Sequence, residues 1–95
     1  MLNSKQRAYL RGMANNIETI LQIGKGGITE ALVSQADDAL TARELIKLRV
    51  LENAPFSVRE GAEQLAEAVG ADVVQVIGTR AVIFRQNEKD SAFEL

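Results

Sequence analysis

Gln22-Ile23-Gly24-Lys25-Gly26-Gly27-Ile28-Thr29 is the stretch around which the rest of the chain is organised. The apolar run before it, Ile17 to Ile23, reads as a strand, and Thr29-Glu30-Ala31-Leu32-Val33 reads as the opening of a helix. Three glycines around one lysine make a turn with little side-chain cover. Glycine tolerates positive φ and lets another molecule approach the main chain closely. The helix that follows begins with unpaired N–H groups and a partial positive charge. Together these features suit a phosphate, with Lys25 adding a mobile cation at the tip. A plain strand-to-helix turn, using glycine for geometry alone, is an equal reading of the same spacing. Two nucleotide motifs are excluded. No Gly-Lys-Ser/Thr follows a four-residue spacer, and Thr29 stands where a dinucleotide fingerprint needs its third glycine.

Upstream, the pattern predicts a helix from Ser4, read as its N-cap, to Asn15 or Asn16. Leu10, Met13, Ala14 and Ile17 form its apolar stripe, and Lys5, Arg7 and Arg11 lie off it. That trio is either a solvated face or a phosphate-binding surface beside the glycine turn. Thr19–Ile23 is the first strand. Downstream, a second helix starts near Thr29 and reaches about Leu40, with Asp37 and Asp38 toward solvent. Glu44 to Leu51 reads as a strand whose Ile46, Leu48 and Val50 alternate with Lys47 and Arg49. The two bases are a second basic surface or the guard of an edge strand. Ser57 and Glu60 form a capping box for a third helix ending at Val69, where Gly70 supplies the left-handed cap. Gly61 weakens that helix by up to ~1 kcal/mol relative to alanine. Ala71–Ile77 and Arg80–Arg85, joined by Gly78-Thr79, are two more strands, both apolar enough to be central. The order is helix, strand, helix, strand, helix, strand, strand. Strand–helix–strand units imply parallel neighbours, and the closing hairpin is antiparallel. The fold class is α/β, an α+β two-layer arrangement of a mixed four-stranded sheet with flanking helices.

A chain of 95 residues supports one domain, placed at residues 1–86, with a flexible acidic tail over 87–95. Neither cysteine nor histidine is present, which removes thiol chemistry and the usual neutral-pH base. No catalysis, metal, cofactor or small-molecule substrate is expected. No apolar run reaches ~20 residues and no signal-peptide pattern is present, so no membrane association and a cytoplasmic location are expected. The net charge is −2 and the sequence pI about 5.1, low for a nucleic-acid binder. The charge is uneven, however: residues 1 to 17 contain no acid, while the tail carries Glu88, Asp90 and Glu94 against Lys89. Local clusters still bind phosphate, since attraction acts over a Debye length of ~8–10 Å.

Four separated blocks carry a family resemblance: Ser4-Lys5-Gln6-Arg7 with Tyr9-Leu10-Arg11, Gln22 to Gly27, Ala42-Arg43-Glu44-Leu45-Ile46-Lys47, and Val74-Gln75-Val76-Ile77-Gly78. They resemble the bacterial YhbY-type proteins, the stand-alone form of the CRM domain, from about Leu2 to Arg85. The resemblance implies a fold similar to the C-terminal domain of a translation initiation factor. It also implies RNA binding through a Gly-x-x-Gly loop, here Gly24-Lys25-Gly26-Gly27, and association with ribosomal RNA in the precursor of the large subunit. Lys5, Arg7 and Arg11 would extend that contact. Aromatic side chains are few, which favours recognition of RNA shape over bases. A protein-interaction module of an assembly complex is the alternative.

Overall fold

The computed structural model describes residues 2–88, 91 and 93. It contains helix Ser4–Ala14 (α1), strand Thr19–Ile23 (β1), helix Glu30–Arg43 (α2), strand Leu45–Val50 (β2), helix Val58–Val69 (α3) and strands Asp72–Ile77 (β3) and Arg80–Phe84 (β4). The expected element order and mixed four-stranded sheet are both present. Strand order is β1-β2-β4-β3, with β1 and β2 parallel and β4 antiparallel to both its neighbours. Only one strand–helix–strand unit therefore yields adjacent parallel strands. Strand β4 inserts between β2 and β3, so β3 is an edge strand and not a central one.

Helices α2 and α3 cover one face of the sheet. Leu32, Ala36 and Leu40 of α2 and Ala62, Leu65 and Val69 of α3 bury against Ile46, Leu48, Ala81 and Ile83. Helix α1 lies on the opposite face, where Leu10 and Ala14 pack on Leu45, Val74, Val82 and Phe84. The architecture is thus a sheet between two helical layers, and the two-layer expectation extends to three. Met13, assigned to the apolar stripe of α1, is 43% exposed, because the helix touches only part of that face.

The caps follow local chemistry. Ser57 and Glu60 make the expected capping box, and the Ser57 hydrogen bonds hold the Glu60 carboxyl below its usual range, the backbone N–H foremost. Helix α1 is capped one residue earlier than expected: Asn3 accepts from the Gln6 N–H at 2.8 Å while the Gln6 side chain accepts from the Asn3 N–H. Helix α2 runs past Leu40 to Arg43 and ends at Glu44, whose φ is +66°. Arg85 clasps its outer side, donating to Asp37 Oδ1 at 2.6 Å, to the Thr41 hydroxyl and to the Val69 carbonyl at the end of α3. The cation there meets the negative end of the α3 dipole.

The domain extends beyond residue 86. The Glu44 carboxylate is buried and accepts hydrogen bonds from the Asn87 N–H and the Ser91 hydroxyl. Phe93 is 9% exposed and meets Phe84 edge-to-face, with centroids 5.3 Å apart. As a run of residues that tail looks acidic and frayed, because Phe93 stands among charged neighbours; Lys89, Asp90 and Glu94 lie outside the described residues. Among the described residues no helix is long and apolar enough to cross a membrane.

Candidate nucleic-acid interface

Residues 24–27 form a four-residue turn closed by the Gly27 N–H donating to the Gly24 carbonyl at 3.0 Å. Lys25 and Gly26 are its exposed central pair. Gly27 is buried at φ +67°, and a Cβ there would sit 3.3 Å from Pro55 and 3.6 Å from the Phe56 ring. Its conformation and its neighbours both require glycine. Gly24 and Gly26 differ. Neither has positive φ, and a Cβ on either would meet side-chain atoms no closer than 3.4 Å. Turn geometry therefore accounts for Gly27 alone.

Of the suggested donors, the Gly26 N–H is free among the described residues and two others are engaged. The Gly27 N–H is engaged inside the turn, and Thr29, the cap of α2, accepts from the Leu32 N–H at 3.1 Å. Among the described residues, no hydrogen bond uses the N–H of Lys25 or Gly26. Lys25 has no ion-pair partner among them either. The exposed tip thus offers two main-chain donors and one ammonium.

Phe56 holds this turn in place. One edge of its ring lies against Gly27 and the other against Gly61 of α3, where a Cβ would come within 2.7 Å of Cε1. The glycine that weakens helix α3 is what lets the ring seat. Sequence reading priced Gly61 only as a loss of helix propensity, because the contact partner is five residues away across a turn.

Arg7 and Arg11 project from α1 toward the outer edge of β3. With Arg59 from α3 they border an open recess of about 680 Å³ along Val73–Ile77. The Arg7 Nε is buried and has no hydrogen-bond partner among the described residues, and Arg11 is exposed. Lys5 is exposed on the first turn of α1. The turn and the helix trio border different neighbours: the turn meets Leu51, Asn53, Pro55 and Phe56, and the arginines meet β3. What lies between them is the uncovered part of the sheet. Arg80, absent from the sequence-based site, stands there opposite Arg49. A signal was available in the pattern: Arg80 opens a strand whose other members are apolar.

Acids predominate on α2 and α3, beside Arg43 and Arg59, and cations predominate on the opposite side, where Asp72 lies opposite Phe84. Glu30, Asp37, Asp38, Glu60, Glu63 and Glu67 are all exposed on α2 and α3. Lys5, Arg7, Arg11, Lys47, Arg49 and Arg80 belong to α1 and the opposite sheet face, and none has an ion pair among the described residues. An acidic total thus coexists with one cationic side. No cluster of carboxylates among the described residues could hold a metal ion.

The model of the CRS1 / YhbY (CRM) domain matches residues 2–85. The chain is 37% identical over 95 residues to the probable RNA-binding protein YqeI of Bacillus subtilis, covering 100% of this chain and 99% of that one. An RNA-binding protein of Haemophilus influenzae is 29% identical over 92 residues, covering 93% and 89% of the two chains. A solution structure from Staphylococcus aureus, of a hypothetical protein described as a candidate RNA binder, matches with TM-score 0.84 and 49% identity. That match covers 100% of this chain and 99% of the other.

Proposed function

The chain belongs to the CRS1 / YhbY (CRM) domain family, and from that premise we propose that it is an RNA-binding protein without chemistry of its own. The observation that carries this reading is the turn tip. Gly24 and Gly26 hold conformations open to any residue and have room for a side chain, yet the main chain is bare there. A backbone kept uncovered without a conformational need is suited to close approach by a ligand. Free N–H groups and a lysine make that ligand an anion. Gly24, Lys25 and Gly26 grip a phosphate, Gly27 sets the turn, and Lys5, Arg7 and Arg11 continue the contact. The family resemblance points to structured ribosomal RNA in precursors of the large subunit, bound in the cytoplasm during assembly. Phosphate contacts of this kind fix position and read little sequence.

Lys25→Ala should weaken binding to a ribosomal RNA hairpin about tenfold and lower the log–log salt slope by about 0.7–0.9. The melting temperature should not move, because Lys25 is exposed and has no ion pair among the described residues. Fluorescence anisotropy at several salt concentrations measures the affinity. Unchanged affinity and slope would remove Lys25 from the interface.

A further inference from the structure

We infer that the open sheet face carries a second phosphate-binding platform, formed by Arg49, Arg80 and Lys47, across which the RNA strand leaving the glycine turn is laid. The inference rests on the RNA-binding reading and adds residues and a path to it. Strand register sets the platform. Gln22, Arg49 and Arg80 are cross-strand neighbours on β1, β2 and β4, and Ile77 of β3 completes the row. Lys47 lies two residues from Arg49 on the same face, about 7 Å away along the strand. Helix α1 covers the far end of this face, over Leu45, Val74, Val82 and Phe84, and leaves Arg49 and Arg80 exposed and Lys47 half-buried.

Arg49 directly opposite Arg80 is the informative feature. Like charges facing each other across an antiparallel pair are destabilising, and no acid among the described residues pairs with either. Guarding an edge strand does not explain them, because β2 and β4 are the two interior strands. Arg80 is also aimed: its Nε donates to the Thr19 hydroxyl at 3.2 Å, which draws the side chain across β2 toward β1. Two recesses share Arg80. One, of about 470 Å³, includes Gln22 and Arg49. The other, of about 240 Å³, includes Lys47, Gln75 and Ile77. Among the described residues, neither is lined by a carboxylate. Ile77 is 62% exposed and offers an apolar rest for a ribose or base beside the cations.

The platform also joins the two clusters that stand apart. Ile23, last residue of β1, pairs with Val50, one position beyond the row of Gln22 and Arg49, and the glycine turn starts at the next residue. At the other side, Gln75 and Ile77 border both the Lys47 recess and the recess of Arg7 and Arg11. A polyanion held at Lys25 and laid over Arg49, Arg80 and Lys47 would lead on to the arginines of α1. An RNA strand fits such a track, since its phosphates recur along its length; an acidic protein surface is the competing occupant.

The test compares wild type, Arg49→Gln, Arg80→Gln, the double variant and Lys25→Ala on a single-stranded 12-nucleotide RNA by anisotropy across salt. Each single glutamine variant should weaken binding about five- to tenfold, and the double variant should lower the salt slope by about 1.4, at ~0.7 per phosphate on a single strand. The double variant should melt no lower than wild type, because it relieves a like-charge pair. If it binds with wild-type affinity and slope while Lys25→Ala binds weakly, the platform is refuted and the turn reading stands. If it keeps RNA affinity but loses binding to polyglutamate, the occupant is an acidic protein and the proposal is overturned.

Discussion

Gly61→Val should destabilise the protein by about 3 kcal/mol, the upper end of overpacking costs. A Cβ at this position would lie 2.7 Å from Phe56 Cε1, 3.1 Å from Cδ1 and 3.3 Å from Val50 Cγ2. Valine adds two further methyl groups to a space already filled by an aromatic ring. Helix propensity works the other way, since glycine is the poorer helix former by ~1 kcal/mol against alanine. Gly61→Ala should therefore be less damaging than valine but still show no gain. Urea unfolding of the three proteins measures the order. The ring displaced from Gly61 is the ring that covers Gly27, so the valine variant should also lose RNA affinity under conditions where it remains folded. A valine variant as stable as wild type would show that Phe56 is not wedged between the two glycines.

Glu44→Ala should cost about 3 kcal/mol. The carboxylate is 2% exposed and accepts from the Asn87 N–H at 2.8 Å and the Ser91 hydroxyl at 2.6 Å. Removing an acceptor from a buried site leaves each donor with a desolvation cost of ~1–3 kcal/mol. The φ of +66° is held with a Cβ in both proteins and so does not enter the difference. Release of Asn87, Ser91 and Phe93 should uncover Phe84, whose edge-to-face partner is Phe93. Thermal melting reports the loss, and faster hydrogen exchange at the Asn87 amide localises it. A melting point within 1 °C of wild type at that substitution would contradict the buried clasp, given the ~4–8 °C expected per kcal/mol for a domain of this size.

The contrast between Glu44 and Ser57 shows what the chain discloses locally. Ser57 and Glu60 are three residues apart, and both halves of their capping box are legible as a pattern. Glu44 looks like the polar first residue of a strand, and its partners are more than 40 residues away. Strands showed the same division. Alternation in Ile46-Lys47-Leu48-Arg49-Val50 announced a strand with one buried face, but strand order is a tertiary outcome. Apolar β3 and β4 look alike as runs of residues, and only packing puts β4 inside and β3 at the edge. The site followed suit. The turn and the cations of α1 stand out as short motifs, whereas Arg80 gains its meaning from facing Arg49 across the sheet. Gly27 and Gly26 are indistinguishable as letters, yet only one is required by backbone conformation.

The most direct test is Gly26→Asp, read as affinity for a ribosomal RNA hairpin in low salt. Gly26 is exposed, without positive φ, and a Cβ there would lie 3.4 Å from the Thr29 methyl group, an ordinary contact, so the variant should fold and melt like wild type. Its carboxylate would stand where the phosphate is held, beside the free N–H groups of Lys25 and Gly26. At least a tenfold loss of affinity at unchanged melting temperature is the predicted result. A folded variant that binds the hairpin as tightly as wild type would contradict the account.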